Sequence, residues 1–512
     1  MVGRKIGRGH ASNGRKPAPQ RFDRPAGAPR LRATSGLVLL LVCLGQFMVL
    51  LDVSVVNVAL PSIRSDLGFS TSGLQWVVNA YALTFAGFLL LAGRAADLFG
   101  RRRILLAGLA LFCLASLADG LAANQWELVA ARALQGFGGA VLTPATLTIL
   151  IATYPEGRSR ARALGIWSAV AAAGASSGAL LGGIITQFLS WRWVFFVNLP
   201  VGLLVLTAAA LAVGESFGDT QARRHLDVAG AIAVTGGLVA VAWGIARTQA
   251  VGWGSPEVVA AFTLAVVLLA VFVLIEARLA RAPLVPLRIF ASRSITGANL
   301  VAFGLGAALF AVWYFQSLYL QSVRGMTPLE AGLSFLPQTL AIVVGSTLSS
   351  RLIPRLGARP FLIGGPLVMA AGLLWLAQIA VSPAIWAAVL LPGTLLTFGA
   401  GLSFPAITVA ATAGVPRQQA GLASGLVNTS RQVGGSLGLA ALATLAADRA
   451  ALLASQHHPM PSALTGGFGL GLAVGAALAV AAGLFGFVVP GIRTRVPVEE
   501  RRRTAGADEA AA

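Results

Sequence analysis

Asp52, Arg132 and Gln135 combine the most chemistry with the least polar surroundings in this chain. Asp52 stands in Leu51-Asp52-Val-Ser-Val-Val-Asn57, nine residues before Pro61 and inside a long apolar run. An ionised side chain at mid-bilayer costs about 2.5–3.5 kcal/mol on insertion scales. A carboxyl kept at that depth must face protein or water. If it can be neutral in one state and charged in another, it has what proton coupling requires. The alternative is a polar residue near a helix end that only supports packing, and the distance to Pro61 disfavours it. Arg132 lies about one turn into a different run, followed by Gln135 at i+3, Gly136 at i+4 and Gly139 at i+7. That spacing puts all four on one helical face. A guanidinium stays protonated, so Arg132 is expected to tune a neighbouring carboxyl, with Asp52 the candidate. The competing reading is an arginine snorkelling to a headgroup.

Other polar groups recur at helical spacing. Asn428, Arg431, Gln432 and Gly435 form a stripe at i, i+3, i+4 and i+7. Facing lipid it would be costly, so it is expected to line a cavity or an inter-helix contact. Tyr81, Phe85 and Phe88, and Phe310, Trp313, Tyr314 and Ser317, align in the same way and can hold a flat apolar molecule or simply pack. Gly93-Arg-Ala-Ala-Asp97-Leu-Phe-Gly100-Arg101-Arg102-Arg103 is a charged turn between two apolar runs. Its Asp97 can accept from Arg101 or from a helix N-terminus. Gly174, Gly178 and Gly182, with Gly183, make a small-residue groove for close helix contact. His457 and His458 adjoin prolines in a polar gap, where such a pair is ordinarily solvated. No metal site is expected from them.

The elements that must position these residues are apolar spans. The composition is 56% hydrophobic and 11% charged over 512 residues, and about 20 apolar residues cross a bilayer. Fourteen spans are predicted, roughly 37–60, 74–95, 104–122, 127–150, 163–188, 193–213, 227–247, 257–276, 295–319, 330–350, 361–380, 385–409, 420–446 and 466–489. Alternating sides from a cytoplasmic N-terminus puts 31 of the 38 Lys+Arg on the cytoplasmic side and 5 outside, with Arg132 and Arg431 inside the runs. That asymmetry fixes the orientation and, with anionic lipid, accounts for the net charge of +20 without nucleic acid. Cys43 and Cys113 lie inside runs and imply no disulfide. The first run is too long for a signal peptide. No Gly-x-x-x-x-Gly-Lys-Ser/Thr loop is present, so ATP is not the expected fuel. No His-Glu-x-x-His or Cys/His cluster suggests a metalloenzyme.

A weak repeat relates Gly93–Arg103 to Ser350-Arg351-Leu-Ile-Pro354-Arg355-Leu-Gly357-Ala-Arg359, eight spans later. Two homologous helical halves around a cavity is a transporter pattern. The Asp52 stretch, the Gly93–Arg103 turn, Arg132–Ala140, Gly174–Gly183 and Trp191-Arg192-Trp193 through Asn198-Leu-Pro200 together resemble the major facilitator superfamily, in its fourteen-helix drug:proton antiporter branch, over about residues 35–490.

The resemblance implies an all-α membrane fold of two six-helix halves plus two extra central helices, with both termini cytoplasmic. The expected boundaries are a disordered basic tail at 1–33, a first half at 34–214, two inserted helices and loops at 215–293, a second half at 294–490 and a tail at 491–512. It implies proton coupling through Asp52 and Arg132, a cytoplasmic gate at Gly93, Asp97, Gly100 and Arg101, and the Gly174–Gly183 groove. Gln135, Asn428, Arg431, Gln432, Tyr81, Phe85, Trp313 and Tyr314 are candidate cavity residues. Three positions depart from the family pattern: Ala95 for Leu, Leu98 for Arg, and Ala179 for Pro. The first two thin the charge network of the turn. The third weakens the antiport assignment.

The expected activity is export of amphiphilic drugs or antibiotics in exchange for protons, across a bacterial plasma membrane, by a monomer without cofactor. Few deep carboxylates besides Asp52 are evident, which disfavours dications. Export of an endogenous metabolite is the alternative. An intramembrane enzyme would show clustered catalytic residues at one depth and a receptor a soluble output domain, and the sequence shows neither.

Overall fold

The computed structural model describes residues 35–70, 73–155, 157–217, 226–280, 283–379, 384–415 and 420–491. The tail expected over 1–33, and the one expected over 491–512 apart from Gly491, lie outside the described residues. Among the described residues the fold is helical, with no strand.

The first six spans are α1 (Ser35–Leu67), α2 (Trp76–Phe99), α3 (Arg101–Leu121), α4 (Gln125–Thr153), α5 (Arg158–Phe188), and the pair α6 (Trp193–Phe196) and α7 (Asn198–Ala212). Two more follow, α8 (Val228–Val251) and α9 (Pro256–Leu274). The last six are α10 (Arg293–Leu318), α11 (Pro328–Ser334) running into α12 (Leu336–Leu356), α13 (Arg359–Leu376), α14 (Leu391–Thr412), α15 (Ala420–Ser455) and α16 (Met460–Phe485). Thirteen of these, counting contiguous pieces as one, are long and apolar enough to cross a bilayer. With α5, described as apolar over Ser177–Phe188, they make the fourteen expected.

Local sequence sets the starts and breaks. Thr327 and Glu330 close a reciprocal capping box at the start of α11, ahead of Pro328. Asn124, Ser255, Asp227 and Ser292 cap α4, α9, α8 and α10. π-helical turns carry α9 on to Leu279 and α10 on to Val323, so these spans run past the expected ends.

The two sets of six helices repeat one packing scheme. α5 lies along α1 as α15 lies along α10. Added Cβ atoms at Gly174 and Gly182 would lie 2.8 and 2.7 Å from the carbonyl oxygens of Phe47 and Val55, and one at Gly178 would strike Ser54. On the other side, Gly306, Gly434 and Gly438 meet the backbone of Arg431, Phe303 and Ala307. Between transmembrane helices, where lipid is as apolar as leucine, such close backbone approach supplies the packing energy. α8 packs on α9 and against α2 and α15, while only 17% of the apolar window of α9 is buried. The two extra helices are thus a lateral addition with α9 outermost.

Alternating connections place the starts of α1, α3 and α10 at one end of the bundle with the 100–103, 158–162 and 351–359 arginines. At the opposite end the halves are tied together. Ser317 Oγ donates to Asn57 O at 2.5 Å, Gln321 Nε2 to Val58 O at 2.9 Å, and Leu329 N to Gln187 Oε1 at 3.1 Å.

Candidate functional site

Asp52 lies midway along α1 and is fully buried (0% exposed). It faces protein, one of the two surroundings expected of a carboxyl at that depth. Its partner is the expected one: Arg132 Nη1 donates to Asp52 Oδ2 at 2.7 Å, and Arg132 is itself only 2% exposed. Gln135 Nε2 and Asn198 Nδ2 donate to Asp52 Oδ1 at 2.8 and 3.0 Å, and both also donate to Ser116 Oγ, at 2.6 and 3.2 Å. Arg132 Nε donates to Val77 O at 3.0 Å, and its guanidinium also reaches Gln135 Oε1. The guanidinium lies 4.4 Å from the centre of the Tyr81 ring and 5.6 Å from that of Phe195, a cation–π sandwich. The glycines after Arg132 let α2 come this close: a methyl at Gly136 would strike the Tyr81 carbonyl, and one at Gly139 would sit 2.7 Å from its hydroxyl.

Three donors converge on the Asp52 carboxylate, as its ionised form demands. The pair is a lock more than a source of stability. Desolvation of two buried charges offsets most of their attraction, while removing one partner costs about 3–5 kcal/mol.

Among the candidate cavity residues, Gln135 is a bonded member of the buried cluster. Tyr81 and Phe85 are buried against α4 and stack on one another at 5.9 Å. Tyr314 lines a small apolar void with Phe315, Ala443, Ala446 and Phe468, among α10, α15 and α16 within the second half. Trp313 is half-buried beside it. Aromatic spacing located a helix face correctly but could not tell packing from a cavity. Asn428, Arg431 and Gln432 do share a face. Arg431 Nη2 donates to Asn428 Oδ1 at 2.8 Å and lies 5.5 Å from the Phe404 ring, with no carboxylate partner among the described residues.

Sequence reasoning missed four contributors. Ser116 and Asp119 lie on α3 one turn apart. Asn198 was quoted only as part of a motif. Asp119 is fully buried, so Asp52 is not the only deep carboxylate. The fourth, Glu215, follows α7 and closes the charged turn. It accepts from Arg102 N at 3.0 Å and lies 3.6 Å from Arg103 Nε, while Arg101 N donates to Ser216 O at 2.9 Å.

In that turn Asp97 pairs with Arg101 at 3.0 Å, and Gly100 has φ +105°, a conformation that favours glycine. Gly93 is not demanded by space, since a methyl there would make an ordinary 3.5 Å contact with Pro144. Among the described residues, the bonds of this turn stay within the first six spans. Glu215→Ala removes a charged acceptor at the start of α3, and is expected to lower stability by about 0.5–2 kcal/mol. Glu215→Gln should lose less. Thermal unfolding in detergent checks both, and equal melting temperatures for Glu215→Ala and wild type would remove Glu215 from the turn.

A sequence model described as the Major Facilitator Superfamily matches residues 42–439. The chain belongs to that superfamily. The cephamycin export protein CmcT of Amycolatopsis lactamdurans is 42% identical over 414 residues, covering 81% of this chain and 85% of the relative. The puromycin resistance protein pur8 of Streptomyces alboniger is 40% identical over 456 residues, covering 88% and 89%. Among solved structures, the D-xylose–proton symporter has a TM-score of 0.64 at 18% identity, covering 89% of this chain and 98% of that one. A bacterial homologue of the human lysosomal transporter Spinster scores 0.63 at 19%, covering 89% and 96%. At those identities the structures show the fold alone. As a major facilitator protein, the chain is a multi-pass membrane transporter with the expected two halves and two added helices.

Proposed function

We propose that this major facilitator exports amphiphilic organic compounds, antibiotics among them, across the plasma membrane of a bacterium in exchange for protons. The arginine-rich end faces the cytoplasm. The observation that carries the reading is the buried Asp52–Arg132 pair, with Gln135 and Asn198 on the same carboxylate. A proton on Asp52 removes the charge that holds Arg132, so the guanidinium must find another acceptor. The cluster therefore has two arrangements, and proton binding selects between them. It joins α1, α3, α4 and α7, and α1 also carries the carbonyls of Asn57 and Val58 that tie the halves together. A change at Asp52 thus has a direct route to the contacts that must open and close. Support for the cargo comes from the relatives, whose names concern cephamycin export and puromycin resistance.

The test uses everted vesicles with puromycin as probe. Wild-type uptake should collapse with an uncoupler. Asp52→Asn should lower proton-driven uptake at least about tenfold, equivalent to about 1.4 kcal/mol. Undiminished uptake in that variant would take Asp52 out of the mechanism. A second reading, export of a product the cell itself makes, is favoured by the cephamycin exporter among the relatives. Retention of a secreted product in cells lacking the protein, with unchanged drug susceptibility, would decide for it.

A further inference from the structure

The proton-coupling cluster holds a second carboxyl with no part in its hydrogen bonds. Asp119 is fully buried in the last turn of α3, and neither of its carboxylate oxygens has a hydrogen-bond partner among the described residues. It is close enough to Asp52, Arg132 and Tyr81 to interact with all three electrostatically. We infer that Asp119 is the residue that carries the proton while Arg132 holds Asp52 ionised.

The argument is one of charge. Two buried carboxyls share one buried guanidinium. Arg132 directs its donors to Asp52, to Gln135 and to Val77 O, and none to Asp119. A buried carboxylate with neither counter-ion nor hydrogen bond costs several kcal/mol, and a neutral acid in the same place costs much less. Asp52, bonded by three donors, is the ionised member, and Asp119 the neutral one.

Among the described residues, the surroundings offer no other compensation. Tyr81, from α2, has its hydroxyl buried and also without a hydrogen-bond partner. Phe196, from α6, packs against Gly120, where an added methyl would strike its ring. Asn198, from α7, gives its amide hydrogens to Asp52 and Ser116. The other cation nearby, Arg192, pairs with Asp66 at 2.5 Å and donates to Ala122 O at 3.2 Å.

Position agrees with this role. Asp119 lies two residues from the end of α3, at the end of the bundle opposite the arginine-rich turns. Ser116, one turn deeper on the same face, accepts from both residues that bond Asp52 Oδ1. Asp119 thus stands between Asp52 and the side from which an exporter's protons arrive. In the transfer the O–H bond of Asp119 breaks and one forms on Asp52. Arg132 then turns to the new Asp119 carboxylate, so the cluster's net charge is unchanged.

This inference rests on the proton-coupled reading above, and the experiment separates the two. Full-length protein in lipid films is compared by infrared absorption at neutral pH, wild type minus variant. Asp119→Asn should remove a protonated-carboxyl C=O stretching band, and Asp52→Glu, which keeps a carboxylate for Arg132, should leave it in place at the same frequency. Asp119→Glu should restore the band at a shifted frequency, which a loss of fold would not allow. A band that survives Asp119→Asn, or that shifts in Asp52→Glu, overturns the assignment. Puromycin transport by the wild type that ignores the pH gradient would overturn the coupled reading instead, and the infrared result would stand.

Discussion

Arg132→Met is expected to leave little folded protein, while Asp52→Asn unfolds at a temperature close to wild type. Both substitutions break the same 2.7 Å pair, so the difference lies in what each leaves behind. Asn in place of Asp52 keeps one amide oxygen for Gln135 and Asn198, and the Arg132 charge is then balanced by Asp119, which gives up its proton. Met in place of Arg132 leaves the Asp52 carboxylate fully buried with only two neutral amide donors. It also empties the slot between Tyr81 and Phe195 of its positive charge. Removing one member of a buried pair costs about 3–5 kcal/mol, a large part of a typical total stability. The double variant Asp52→Leu/Arg132→Met should recover most of that loss, because no uncompensated charge remains, and should still fail to transport. Melting temperature and the monodisperse fraction after detergent extraction read the series. If Arg132→Met proves as stable as Asp52→Asn, the pair is not the desolvated lock described here.

That lock was partly legible in the sequence. Asp52 and Arg132 are charges inside apolar runs, and an interrupted run announces itself because the surrounding residues cannot solvate a charge. Their pairing followed from the scarcity of alternatives. Ser116 and Asn198 did not stand out, since small polar side chains are common in membrane helices and cost little alone. Asp119 was hidden by its place near the end of the third run, where an acid ordinarily reaches the headgroups. Phe196, whose ring packs on Gly120, makes that depth dry together with the rest of α6, and it comes from a span more than seventy residues later. The aromatic faces left two readings open for a related reason. In water an apolar stripe must face the core. In a bilayer lipid, core and drug cavity are all apolar, so periodicity places Tyr81, Phe85, Trp313 and Tyr314 on a face without saying what that face meets. Glycine spacing was more informative, because a backbone-to-backbone contact excludes every other residue.

The groove supplies the other large effect, and two adjacent residues divide it. Gly182→Val is expected to abolish both folding yield and transport. Even one added carbon at Gly182 would lie 2.7 Å from Val55 O and 3.1 Å from Val55 Cγ2, three residues along α1 from Asp52. Backbone cannot step aside as a side-chain tip can. Valine adds three carbons against α1, and overpacking of this kind costs about 1–3 kcal/mol or more. It also displaces the helix that holds the coupling carboxyl. Gly165→Ala, in the same helix but with nothing within 4 Å of the added carbon, should be harmless. Gly183 faces another way. Its added carbon would lie 2.6 Å from Pro328 O and 3.0 Å from Leu329 Cα, both on α11 of the second half. The α1–α5 contact lies within one half and must persist through the cycle, whereas the α5–α11 contact exists only while the halves meet at that end. Gly183→Val should therefore keep a near-normal melting temperature, lose transport, and expose that end, raising labelling of a Gln187→Cys reporter by a membrane-impermeant thiol reagent. Similar melting temperatures for Gly182→Val and Gly183→Val would mean that both contacts are permanent, and the halves could not separate along α5 as alternating access requires.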